Sequence, residues 1–251
     1  MEETYTIDSI ILPDIKICQP KKGFRFTTDS LLLAGFVKDL KYKTVVEIGA
    51  GSGIISTLLA KFFRIEKIYA VEIQKTYYDM LVETIKINQL ENIVIPINAD
   101  IKDFKPREQV DMIISNPPYR KGSTGYRSHI KSKNVARFTD TLTIEDIFKF
   151  SKSYLKTGGY LYISFIADRL NELFIYTKQY SIEPKRLKLL YPDLNKNARL
   201  IFLEYRSGAG TEMIIDPPLF HKINGTDTED FLKHTDPVWW KGKKGGRWHT
   251  S

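Results

Sequence analysis

The tetrapeptide Asn116-Pro117-Pro118-Tyr119 places an amide, two residues without a backbone N–H and an aromatic ring directly after the apolar run Val110–Ile114. A sheet ladder must stop at the two prolines, so the carbonyl of Pro117 loses its neighbour's donor and is left as an acceptor. The side-chain oxygen of Asn116 is a second acceptor. Two acceptors spaced across one planar amino group bind both hydrogens of an adenine or amide –NH₂. The lone pair of such a nitrogen is delocalised and poorly nucleophilic. Holding both hydrogens out of plane draws the nitrogen towards sp³ and aims its lone pair at an electrophile. Tyr119 adds a flat face on which an extruded base stacks, worth about 1–3 kcal/mol per base. Asn116, Pro117 and Tyr119 are therefore the candidate catalytic residues, acting by positioning and electrostatics, with no metal and no strong base. On its own the tetrapeptide would read as a proline-rich turn.

A second motif argues against that plain reading. Glu47-Ile48-Gly49-Ala50-Gly51-Ser52-Gly53 sits where a strand turns into a helix, and glycines there let the backbone take positive φ and approach a ligand closely. Glu72, 19 residues beyond Gly53 at the end of a second strand, is placed to accept hydrogen bonds from both ribose hydroxyls of a nucleoside. The G-x-G-x-G spacing differs from the dinucleotide fingerprint. Glu47, ahead of the glycines, suits an ammonium better than a pyrophosphate. Both differences favour S-adenosylmethionine over NAD. Asp100, closing a third strand, completes a cofactor-binding set of Glu47, Gly49, Gly51, Gly53, Glu72 and Asp100, with which Asn116 is also counted.

Between Arg120 and Arg137 lie Arg120, Lys121, Arg127, Lys131, Lys133 and Arg137 with no acidic residue. Following a base-recognition motif, this segment is expected to form a loop over the site and to contact RNA phosphates. Lys185, Arg186 and Lys188 form a second basic cluster that reads equally well as a polar sheet face. The four histidines show no metal-ligand spacing.

The whole chain of 251 residues carries 38 Lys+Arg against 30 Asp+Glu, a net charge of +8 that suits a polyanionic partner. One cysteine, Cys18, excludes an internal disulfide framework and fits a reducing compartment. The start is acidic and polar, unlike a signal peptide, and no apolar stretch approaches the roughly 20 residues of a membrane span. These features lead to the expectation of a soluble, cytoplasmic protein.

Positioning both motifs requires alternating elements. Thr44–Ile48, Lys67–Ile73, Asn92–Asp100, Val110–Ile114 and Tyr160–Ile166 read as strands. Helical spacing follows over Ile54–Phe63, around Tyr77–Ile85, over Thr143–Leu155 with Thr143 as N-cap and Gly158-Gly159 as the close, and over Asp168–Gln179. Two late strands, Lys185–Tyr191 and Arg199–Arg206, have little between them, so one should be antiparallel. The pattern predicts an α/β, Rossmann-like fold with a seven-stranded, mostly parallel sheet and helices on both faces. Residues 1–43 read as an N-terminal preamble, 44–220 as the domain, and 221–251 as a tail with a disordered end.

The glycine turn, Glu72, Asp100 and Asn116–Tyr119 together resemble class I S-adenosylmethionine-dependent amino-methyltransferases. Phe24–Phe36, Glu183–Pro192 and Ile214–Phe220 are further similar to bacterial tRNA1(Val) (adenine(37)-N6)-methyltransferases, and the resemblance runs from about Gln19 to Phe220. It implies methylation of N6 of an adenine at position 37 of a valine tRNA. It also places the Asp29-Ser30 pair near the cofactor, adding Asp29 to the binding set. Two other readings remain open on the residues: a glutamine methyltransferase acting on release factors, which shares the Asn-Pro-Pro-Tyr motif, and a non-catalytic RNA-binding module on the same fold.

Overall fold

Runs of Val and Ile without polar alternation form strands covered on both faces. The computed structural model, which describes residues 5–10, 12–23, 25–118 and 142–240, centres on such strands. In chain order, β1 (Tyr5–Ile10) and β2 (Leu12–Pro20) pair as a hairpin. The central sheet follows: β3 (Lys41–Ile48), β4 (Arg64–Glu72), β5 (Val94–Asn98), β6 (Val110–Ser115), β7 (Leu155–Ile166), β8 (Ile182–Tyr191) and β9 (Leu200–Ser207). Its order is β5-β4-β3-β6-β7-β9-β8, with β9 antiparallel to both of its neighbours and the other six strands parallel to one another. Two-residue strands β10 (Ile214–Ile215) and β11 (Leu219–Phe220) add to β8, so the expected seven strands become nine.

The strand order reverses between β3 and β6, where Ile48 pairs with Ser115 and the Ser115 hydroxyl donates to the Ile48 carbonyl at 2.9 Å. Ligands of open α/β sheets sit beyond such a switch point. The glycine turn leaves β3 there and Asn116 leaves β6.

Alternate strand residues face two cores. Val45 and Met112 lie on one side with α1 (Thr28–Phe36), α2 (Ile54–Phe62) and α3 (Lys75–Ile87). Val46 and Ile113 lie on the other with α4 (Ile144–Tyr154) and α5 (Leu170–Tyr180). Helix α4 starts as its sequence predicts: the Thr143 hydroxyl accepts from the Asp146 N–H while the Asp146 side chain reaches back, a capping box. Its close differs. The helix runs straight into β7 at Leu155, and Gly158 and Gly159 lie within that strand instead. Val110 pairs with Leu155 but Met112 with Tyr160, so the chain loops out at Lys156–Gly159, and Gly158 takes φ +78° to do so.

Both ends carry more structure than the sequence suggests. In the preamble, α1 is buried over nearly its whole length because Leu31, Leu32, Leu33 and Ala34 meet apolar partners all round. The tail forms a hairpin, β12 (Lys222–Ile223) with β13 (Thr226–Asp227), then α6 (Glu229–Thr235) and α7 (Pro237–Trp240). Within it, Trp240 is 3% exposed and docks against Phe62 and Phe63, with its indole N–H donating to the His234 carbonyl. Only a residue without Cβ fits beneath it: a Cβ on Gly35 would lie 2.7 Å from the indole.

The second basic cluster proves structural. Arg186 is buried, its guanidinium 4.0 Å over the Phe36 ring and 3.2 Å from Glu204, which also pairs with Lys38 at 2.5 Å. No described helix is long and apolar enough to cross a membrane.

Candidate active site

The turn after β3 is fixed from both flanks. The N–H groups of Gly49 and Ala50 donate to the Val71 carbonyl at 2.9 and 3.0 Å. The Gly51 N–H donates to Glu72 Oε2 at 2.8 Å, and the Gln74 N–H to Glu72 Oε1 at 2.8 Å. Gly53 holds φ +88°, and a Cβ there would lie 2.5 Å from Leu81 Cδ1, so the turn can neither straighten nor carry a side chain at that point. Glu72 is 4% exposed. Burial raises its carboxyl, and the N–H groups of Gln74, Gly51 and Ile73 oppose that rise. It braces the glycine turn as well as ending β4.

Glu47 is more enclosed still. Its Oε2 accepts from the backbone N–H of Ser56 at 2.9 Å and from the Ser56 hydroxyl, satisfying a donor in the first turn of α2. Burial pushes its carboxyl up to about 8 against the Ser56 hydrogen bonds, and the nearby Glu72 charge adds to the rise. Between an ordinary value near 4.5 and about 8, the folded chain keeps a proton that the unfolded chain has released, so this group makes stability fall as pH rises through that window. Glu47→Gln removes the titration. Its melting temperature without ligand should match wild type near pH 5 and exceed it by about 5–10 °C at pH 8. Parallel melting curves for the two proteins across that range would show that Glu47 does not titrate there.

A shallow cleft, enclosing about 30 Å³, opens between the glycine turn and the end of β5, walled by Ile48, Gly49, Val71, Ile73, Ile101 and Leu142. Asp100 stands on its wall, accepting from the Lys102 N–H at 2.9 Å and paired with the Lys102 ammonium at 3.1 Å. An apolar slot with one carboxylate suits a flat heterocycle that carries an amino group.

Asn116 follows β6 at the opposite side of the switch point, with Pro117 buried and Pro118 exposed. Its amide is held at both ends: the Ser164 hydroxyl of β7 donates to Oδ1 at 2.5 Å, and Nδ2 donates to Ser30 Oγ of α1 at 3.0 Å. Asp29, beside Ser30, is buried and accepts from Arg199 Nη2 at 2.9 Å. The structure thus brings Glu47, Gly49, Gly51, Gly53, Glu72, Asp100, Asn116 and Pro117 to one edge of the sheet, with Asp29 beside Asn116. Tyr119 and the basic residues Arg120, Lys121, Arg127, Lys131, Lys133 and Arg137 lie outside the described residues. Ser56, Ser164 and Arg199 escaped the sequence reading. The available signal for Ser164 was a lone hydroxyl in the apolar strand Tyr160–Ile166. Among the described residues, no group of three or more His, Cys, Asp or Glu is placed to hold a metal ion.

The profile of the TRM5/TYW2 methyltransferase domain matches residues 33–142, which contain the glycine turn, Glu47, Glu72, Asp100 and Asn116. The fold is shared with M. jannaschii TYW2, solved in complex with AdoMet, with a TM-score of 0.56 at 19% identity over 82% of this chain and 88% of that one. Fold and profile agree on a Rossmann-like architecture of the class I methyltransferase type, with the glycine turn and its carboxylates on the matched stretch. Within that class the sequence is similar to the tRNA1(Val) (adenine(37)-N6)-methyltransferase of Flavobacterium johnsoniae, 29% identical over 57% of this chain and 61% of the relative. It is also similar to the one from Porphyromonas gingivalis, 22% identical over 86% of this chain and 89% of the relative. The residues present fit the cofactor of the class: two buried carboxylates flank a glycine turn that has no room for a side chain at Gly53, and an apolar cleft adjoins it.

Proposed function

We propose that this chain methylates the exocyclic N6 of an adenine in tRNA, at position 37 of a valine tRNA anticodon loop, in the cytoplasm. The observation that carries the proposal is the placement of Asn116 and Pro117 at the end of β6, one strand away from the glycine turn, with the Asn116 amide locked in place. S-adenosylmethionine supplies a methyl group on a positively charged sulfur. Glu47 receives the ammonium of its methionine part, giving up the proton that burial favours. Glu72 accepts from the ribose hydroxyls, and the cleft beside Asp100 takes the adenine ring. Asn116 Oδ1 and the Pro117 carbonyl accept both hydrogens of the target amino group and turn its lone pair towards the methyl carbon. The N–C bond forms as the methyl–sulfur bond breaks with its electron pair left on sulfur, and the methylated nitrogen then releases one of its two protons to solvent by way of these acceptors. Tyr119 stacks on the target base, and the Arg120–Arg137 segment grips phosphates.

The reaction needs a base out of its stack, because in a paired adenine one amino hydrogen is committed to uracil. Extrusion is less costly from a loop than from a duplex. With labelled methyl donor, an isolated anticodon hairpin and whole tRNA should therefore both be methylated, and product mapping should find the label on a loop adenine. Label on a stem adenine, or on a release-factor glutamine in place of RNA, would contradict the assignment.

A further inference from the structure

An asparagine amide turns broadly about χ2 when nothing restrains it, yet the proposed reaction needs its oxygen, not its nitrogen, facing the target amino group. A half-turn would set N–H donors against N–H donors. In this chain the amide of Asn116 is bridged between two buried serines, Ser164 (0% exposed) on Oδ1 and Ser30 (4% exposed) on Nδ2. We propose that Ser164 and Ser30 are positioning residues that hold the Asn116 amide in its plane for methyl transfer; the inference rests on the reading of Asn116 given above. An amide oxygen has two lone pairs, so accepting from Ser164 is compatible with accepting from the target N–H.

The two serines are anchored to the same piece of sheet. Ser164 pairs with Phe202 across β7 and β9. Arg199, just ahead of β9, holds Asp29 in the first turn of α1, and its carbonyl accepts from the Ala167 N–H beyond the end of β7. Helix α1 is thereby set against β7, and Ser30 meets Asn116 from the side opposite Ser164. The preamble completes the catalytic geometry as well as covering the core.

A double-mutant cycle separates positioning from mere support. Single-turnover methylation of tRNA from cells lacking the protein would be measured for wild type, Ser164→Ala, Asn116→Ala and the double variant, alongside S-adenosylmethionine affinity. Ser164→Ala should lower kcat about tenfold, with KM for tRNA and cofactor affinity changed by less than about threefold. In the Asn116→Ala background the same change should cost less than about twofold, because no amide remains to be oriented. Ser30→Ala reaches the amide from its other end and gives an independent cycle should Ser164→Ala fail to fold. An equal loss in both backgrounds, or no loss in either, would overturn the clamp alone. Full turnover by Asn116→Ala would overturn the reading of Asn116, and the clamp with it.

Discussion

Asn116→Ala should lower methyl transfer by about 10²–10³-fold, the scale on which a preorganised hydrogen-bonding group acts in a transition state. The substitution removes one of two acceptors that reshape the target nitrogen, and the Pro117 carbonyl remains. Cofactor affinity should stay nearly unchanged, because the glycine turn, Glu47 and Glu72 belong to β3, β4 and the turn between β3 and α2, where Gly51 and Ser56 hold the two carboxylates. The variant should also fold, because Asn116 is only half-buried. Turnover within tenfold of wild type, with affinity intact, would remove the two-acceptor mechanism.

Glu72→Ala acts on the cofactor instead. Loss of charge-assisted hydrogen bonds to the ribose should weaken S-adenosylmethionine binding by about 1.5–3 kcal/mol, roughly 10–150-fold. The structure adds a second cost, since Glu72 also accepts from the N–H groups of Gly51 and Gln74, and without it the glycine turn loses its brace. The loss is therefore expected towards the upper end of that range. Glu72→Gln, which keeps an acceptor for one of the two N–H groups, should fall between alanine and wild type. Calorimetry showing the same affinity in all three proteins would mean that the ribose is held elsewhere.

Much of this site is legible along the chain because its parts are local signals. A glycine turn after a Val-rich strand, a carboxylate at the end of the next, and an amide before two prolines each announce their own position. Once the strand order is known, all meet at one sheet edge. The misses are of two kinds. Helix α1 has no polar face because it is buried on every side, so the periodicity that reveals α2 is missing from Ser30–Phe36. Trp240 reads as part of a basic, aromatic tail until Gly35 is seen to leave room for it. The second kind is long-range. Ser164 and Arg199 gain their roles from partners 48 and 170 residues away, and nothing in the neighbourhood of a serine or an arginine states such a pairing; for Ser30 the resemblance suggested the place but not the bond to Asn116, 86 residues on. Glu47 combines both cases: its place before the glycines was readable, whereas its hold on Ser56 and its raised carboxyl depend on how α2 packs.

The central claim is that the chain places a methyl group on N6 of a loop adenine in tRNA. Mass spectrometry of nucleosides from purified tRNA tests it most directly, comparing cells that have the protein, cells that lack it, and cells that regain it in wild-type or Asn116→Ala form. N6-methyladenosine should disappear on loss, return with wild type and stay absent with Asn116→Ala, its position mapping to the base beside the anticodon of a valine tRNA. An unchanged level of N6-methyladenosine in tRNA from cells lacking the protein would contradict the account.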